Sequence, residues 1–407
     1  MRYNMPMGRY VVALGALILI VAVSVIVDAR LASTYQEVEE IAHLGGDFKE
    51  LKNYFTNLSE NKGAAYGYEV LRKATLPPDT DLHLLGHVVG EILYKERGID
   101  GIQICTQEFR NACSHAIVTG AFYEFGEEAL PKIESACQKA PGGLGAYGMC
   151  FHGLGHGILT YLSYDVVRAI EFCKKTGTGA HFNEEYKQCA SGTIMEIVGG
   201  GDHDKELWSI ERMKYLSTTD PLAPCNASWM PLEVRPMCYS YLTPNLFTFG
   251  GGNLGNLSEK NYRQAFSFCE RIPQNEPQSR ASCFGGIGKE LPTIVMARDI
   301  RAIDQIPAPK LATVHEWCEL GETTEAVGGC IRSVVQSLIW GGENDPYAAG
   351  VFCSLTPGGT SHEACIDELM NAASFYLTPD NPKRDRVCEP LSGEDATTCS
   401  SRLLSKT

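Results

Sequence analysis

The sequence predicts an all-α fold, a disulfide-stapled α-solenoid of helical hairpins with one N-terminal transmembrane helix. Three observations carry that expectation. Sixteen cysteines alternate between short and long spacings; the segments between them have helical, amphipathic patterning; and one uninterrupted apolar run stands near the N-terminus. At 407 residues the chain can bury a sizeable core, and its composition is that of a globular protein, with 44% hydrophobic and 21% charged residues. The formal net charge of -14 leaves no excess of Lys and Arg to neutralise phosphates, which argues against a nucleic-acid partner.

Residues 1–9, with Arg2 and Arg9, read as a cytoplasmic tail, and 10–28 as a transmembrane signal-anchor. At about 1.5 Å per residue, "YVVALGALILIVAVSVIV" nearly spans a hydrocarbon core. The early arginines favour the cytoplasmic side, so the bulk of the chain is expected in a periplasm, lumen or extracellular space. A cleaved signal peptide cut at "VDA" is the competing reading; the apolar run is longer than a signal peptide needs, which favours the anchor. Sixteen cysteines suit an oxidising compartment. Asn57, Asn226 and Asn256 head Asn-x-Ser sequons, glycosylation acceptors if the source is eukaryotic.

Residues 29–104 read as helical repeats without cysteine, in "STYQEVEEIAHL", "DFKELKNYFTNLSE" and "AYGYEVLRKAT", broken at Gly45, Gly46 and the Pro77, Pro78 pair. From 105 to 399 the cysteines fall in pairs: Cys105 with Cys113, Cys137 with Cys150, Cys173 with Cys189, Cys225 with Cys238, Cys269 with Cys283, Cys318 with Cys330, Cys353 with Cys365 and Cys388 with Cys399. Separations within pairs run from 8 to 16 residues, and those between pairs from 23 to 36. An amphipathic stretch ends near each first cysteine, a polar loop follows, and the second cysteine opens a new apolar segment. Each unit therefore reads as a helical hairpin closed by its own disulfide, and the units as an internal repeat. Alternating spacings favour pairing of neighbours, although spacing alone leaves other connectivities open. Residues 400–407 are a C-terminal tail.

On this cysteine rhythm, residues 105 to about 399 loosely resemble the secreted cysteine-rich, tetratricopeptide-like helical-repeat proteins of bacteria. The tetratricopeptide signature residues are absent and the repeat length varies, so the resemblance implies a fold and no activity.

Aligning the second helix of each unit on its cysteine brings out a histidine set. "CFHGLGH" places His152 and His156 at the second and sixth positions after Cys150. In "DLHLLGH", Asp81 occupies the cysteine slot, and His83 and His87 the same two positions. Between them "CSHAIVT" has His115 in the first slot and Thr119 in the second; later units carry Ser191, Ser240, Gly285, Arg332 and Asp367 in the first. Stacked inner helices set equivalent positions side by side, so five imidazoles can face one pocket.

Histidines at i and i+4 reach one metal ion, and neutral imidazole suits copper, zinc or iron. Glu91, one turn beyond His87, is a further ligand or a general base. The expected metal ligands are thus His83, His87, Glu91, His115, His152 and His156, with room for one or two ions. Repeat drift, in which duplicated units inherit histidines that cap or hydrogen-bond, is the competing account.

No His-Glu-x-x-His string supports a zincin-type protease, and no Cys-x-x-Cys-His supports covalent haem. "VGGGDHDKE" at 198–206 reads as an acidic surface loop and "FGGGNLGN" at 249–256 as a turn. The functional expectation is a membrane-anchored, extracytoplasmic metal-binding protein, a metal-dependent oxidase or hydrolase if it is an enzyme. The alternative is a non-catalytic helical scaffold that binds a protein or glycan.

Overall fold

The computed structural model describes residues 37–405 apart from 42, 78–79, 178–183, 200–204, 250, 298, 300–302, 341–343, 378 and 380. The expected tail and anchor at 1–28 and the acidic loop around His203 lie outside the described residues. Among the described residues, no helix is long and apolar enough to cross a membrane.

Every regular element among the described residues is helical. The cysteine-free region holds α1 (Phe48–Lys62), α2 (Ala64–Lys73) and α3 (Leu82–Arg97). Two aspartates start α1 and α3: Asp47 accepts the Glu50 amide at 2.9 Å, and Asp81 the Leu84 amide at 3.0 Å. Such caps contribute about 1 kcal/mol each. Asp81, in the slot that later units give to cysteine, therefore begins its helix instead of stapling it.

The stapled region runs α4 (Ala112–Phe125), α5 (Leu130–Cys137), α6 (Gly143–Tyr161), α7 (Val166–Cys173), α8 (Glu184–Val198), α9 (Lys205–Arg212), α10 (Arg235–Tyr241) and α11 (Thr243–Thr248). It continues through α12 (Glu259–Glu270), α13 (Pro277–Val295), α14 (Ala308–Cys318), α15 (Thr324–Ile339), α16 (Tyr347–Leu355), α17 (Thr360–Tyr376) and α18 (Gly393–Ser405). Eight disulfides join neighbouring cysteines. Cys105 is bonded to Cys113, Cys137 to Cys150, Cys173 to Cys189 and Cys225 to Cys238. Cys269 is bonded to Cys283, Cys318 to Cys330, Cys353 to Cys365 and Cys388 to Cys399, which leaves no cysteine free. Eight bridges point to an oxidising compartment. The sequon residues Asn57, Asn226 and Asn256 are exposed.

The helix starts differ from the sequence reading, in which each second cysteine opens its helix. Cys113 does stand next to the start of α4, but the later ones lie inside their helices: Cys150 in α6, Cys189 in α8, Cys238 in α10, Cys283 in α13, Cys330 in α15, Cys365 in α17 and Cys399 in α18. The extension is longest in α6, which starts at Gly143, seven residues before Cys150, through the glycine-containing "GLGAYGM". Packing of Ala146 and Tyr147 into the core outweighs the weak helix propensity of those glycines.

The inner helices α3, α4, α6, α8, α10, α13, α15 and α17 each pack on the next, while the shorter helices lie outside them. The row curves enough that α17 returns to α6. Its last residue, Tyr376, meets the first turn of α6, where a Cβ on Gly145 would come within 3.1 Å of the Tyr376 ring. One step earlier, the Arg110 guanidinium ahead of α4 sits 4.4 Å from the centroid of Trp340, which caps α15. The expected solenoid is thus a tight spiral in which the end of a late helix abuts the start of an early one.

Glycines let the inner helices touch backbone to backbone. A Cβ on Gly155 of α6 would lie 2.0 Å from the Cys189 carbonyl oxygen of α8, and one on Gly192 of α8 would lie 1.9 Å from that of His152. Neither helix can yield without losing its own backbone hydrogen bonds. Gly155→Ala is expected to destabilise the protein by at least about 2 kcal/mol in urea unfolding. Gly358→Ala, where a Cβ meets nothing within 4 Å, should be close to neutral in the same assay.

Candidate metal centre

The close approach of α3, α4 and α6 carries the histidine slots into contact. His115 stands in the middle, 1% exposed. Its ring centroid lies 5.6 Å from His83 and 5.8 Å from His87 on one side, and 5.7 Å from His152 and 5.8 Å from His156 on the other. The two flanking pairs have the same shape: His83 and His87 are edge to face at 4.8 Å and 77°, His152 and His156 at 4.9 Å and 75°. Gly153 makes the approach possible, since a Cβ there would fall 2.5 Å from the His115 ring. All five expected histidines are therefore brought together.

Their hydrogen bonds orient them. Phe109, Arg110 and Asn111, just before α4, are all left-handed, with φ of +58°, +57° and +62°. For non-glycine residues this costs on the order of 1 kcal/mol each, the kind of local strain that collects at functional sites. The turn aims the Phe109 carbonyl at His83, whose Nδ1–H donates to it at 2.6 Å. A carbonyl only accepts, so Nδ1 carries a proton and Nε2 is turned toward His87 Nε2, 3.2 Å away. His156 is held in the same way: its Nδ1–H donates at 2.8 Å to the carboxylate of Glu196, which is fully buried. A carboxylate or carbonyl behind the imidazole is the usual support of a metal-bound histidine.

His115 differs from its neighbours. Both its ring nitrogens are buried, and neither has a hydrogen-bond partner. Burial, followed by repulsion from the four surrounding imidazoles, holds its pKa well below the usual histidine value, so the ring is neutral at neutral pH. Two orphaned polar atoms in a core are costly. A metal ion would supply the missing partner: the ligand atoms of His83, His87 and His115 all lie within 4.8 Å of one another, so the three could hold one ion. Three neutral imidazoles fit zinc, copper or iron and leave a coordination position open.

Glu91 is corrected. It follows His87 by one turn, but its side chain is exposed and it does not belong to the converging set. Burial raises the Tyr123 hydroxyl pKa, and the charges of Glu196 and Glu91 add to it.

The sequence reading passed over two residues, Met195 and Glu196 of α8. Met195 sits at the sixth position after Cys189, the slot of His87 and His156, so the same alignment carried to the second slot of later units points to it. Its sulfur is 3.3 Å from His152 Nε2. The slots continue round the inner wall to Lys289, whose ammonium lies 4.2 Å from the Tyr241 ring centroid and whose pKa is lowered by burial. The glycine-rich stretch at 249–256 contains a turn, with Asn253 accepting the Gly255 amide at 2.9 Å.

If His115 is present for a ligand and not for the fold, removing its polar atoms should relieve the apo-protein. His115→Leu is expected to raise apo stability by about 1 kcal/mol in chemical denaturation. A fall of that size or more would mark the ring as structural.

No protein-family model, curated protein or solved structure matches this chain.

Proposed function

We propose that the protein is an extracytoplasmic metal-binding protein that holds a transition-metal ion through His83, His87 and His115, anchored to the membrane by residues 10–28. The observation that carries this reading is His115, a neutral, fully buried imidazole with two unpartnered nitrogens beside two histidines whose ligand atoms converge with its own. The disulfides support the compartment. The five-histidine cluster gives the bound ion a low-dielectric surrounding, and His83 is pre-oriented by the Phe109 carbonyl. The three-imidazole set leaves a coordination position for water or a substrate oxygen, which is the basis for reading the centre as an oxidase or hydrolase.

Elemental analysis of protein purified without a histidine tag should find metal at a fixed ratio to the chain. Zinc added to chelator-stripped protein at about a hundred times its dissociation constant should stabilise the fold by about 2.7 kcal/mol. In His87→Ala and His115→Leu both the metal and the stabilisation should be lost. Wild-type protein that stays metal-free, with unchanged melting after zinc addition, would overturn the reading.

A further inference from the structure

The other side of His115 carries a second set of donors with a different chemical character. His152 Nδ1 is hydrogen-bonded to Ser191 Oγ at 2.8 Å, and Ser191 in turn reaches the Gln188 carbonyl at 3.0 Å. Its Nε2 meets the Met195 thioether at 3.3 Å. A thioether only accepts, so in the metal-free protein the contact is an Nε2–H···S hydrogen bond, and a bound cation would take the place of its proton. His156, edge to face with His152, has its Nδ1–H fixed on the buried Glu196 carboxylate. The arrangement repeats that of His83 and His87, whose Nε2 atoms face each other at 3.2 Å, with one change: sulfur stands beside nitrogen.

We propose that His152, His156 and Met195 form a second metal position, selective for copper(I), next to the first. Soft thioether sulfur with imidazole favours copper(I), whereas three imidazoles without sulfur serve zinc equally well. Copper(I) is stable with three ligands, so the set needs no donor from His115. This inference deepens the metal-binding reading and rests on the same cluster, but its ligands are distinct from His83, His87 and His115.

The test uses the chelator-stripped full chain under anaerobic conditions. Copper(I) is titrated in competition with a chromogenic bicinchoninate chelator, zinc is titrated separately, and the copper-loaded protein is read by X-ray absorption. Wild-type protein should show a sulfur scatterer in its copper shell. Met195→Leu, which keeps the side-chain volume, should lose that scatterer and weaken copper(I) binding about tenfold or more, with zinc uptake unchanged. His83→Ala with His87→Ala should abolish zinc uptake and retain sulfur-ligated copper. A nitrogen-only copper shell in the wild type, an unchanged titration in Met195→Leu, or loss of the sulfur-ligated copper in the double variant would overturn the second position. Failure of the first reading looks different: wild-type protein would take up no zinc while the sulfur-ligated copper remained. Circular dichroism melts of each variant separate ligand loss from misfolding.

Discussion

Everything in this molecule depends on how closely its inner helices approach. At the α6/α8 contact the two backbones meet reciprocally, Gly155 against the Cys189 carbonyl and Gly192 against that of His152. A side chain larger than hydrogen at either point would hold the helices apart. Between α4 and α6 the same economy at Gly153 brings the His115 ring onto the neighbouring helix. Glycine is a poor helix former, and each of these positions weakens its helix by roughly 0.5 to 1 kcal/mol relative to alanine. The disulfide at the base of each hairpin offsets that loss by restricting the unfolded chain, typically by about 2 to 4 kcal/mol per bridge. Weak helices and strong staples are two halves of one solution to close packing.

That packing buries four of the five clustered histidines, and burial is only tolerable if their nitrogens have partners. Three of the rings obtain theirs from a carbonyl, a hydroxyl and a carboxylate on neighbouring segments. In each case the partner holds Nδ1 and so fixes the orientation of the ring. His115 obtains none, and it is the ring toward which both pairs are turned. A fold optimised for stability alone would place an apolar residue there.

Much of this was legible in the sequence because repeats convert one-dimensional register into three-dimensional adjacency. The cysteine rhythm marked the hairpins and their connectivity, and the alignment of His83, His115 and His152 on that rhythm marked the cluster. What escaped was whatever depends on curvature or on a neighbour's backbone. Glu91 follows His87 by a full helical turn, yet its side chain is exposed while the contact between α3 and α4 runs on to Tyr94 and Gly120. The support from the Phe109 carbonyl arises from three left-handed residues with no glycine among them to signal that conformation. Met195 was hidden by residue type, since methionine in a helix reads first as core.

The return of α17 to α6 changes how the molecule comes apart. A linear array of repeats frays from its ends, because a terminal unit has one neighbour and opens at the cost of a single interface. Here the unit at the C-terminal end of the row leans on the unit that carries His152 and His156. Opening the α16–α17 hairpin therefore disturbs the histidine-bearing one, and anything that tightens the cluster also holds that late hairpin. The spiral makes a local site into a clasp for the whole array, so occupancy of the histidine centre would be read out as resistance to proteolysis far along the sequence, at α17.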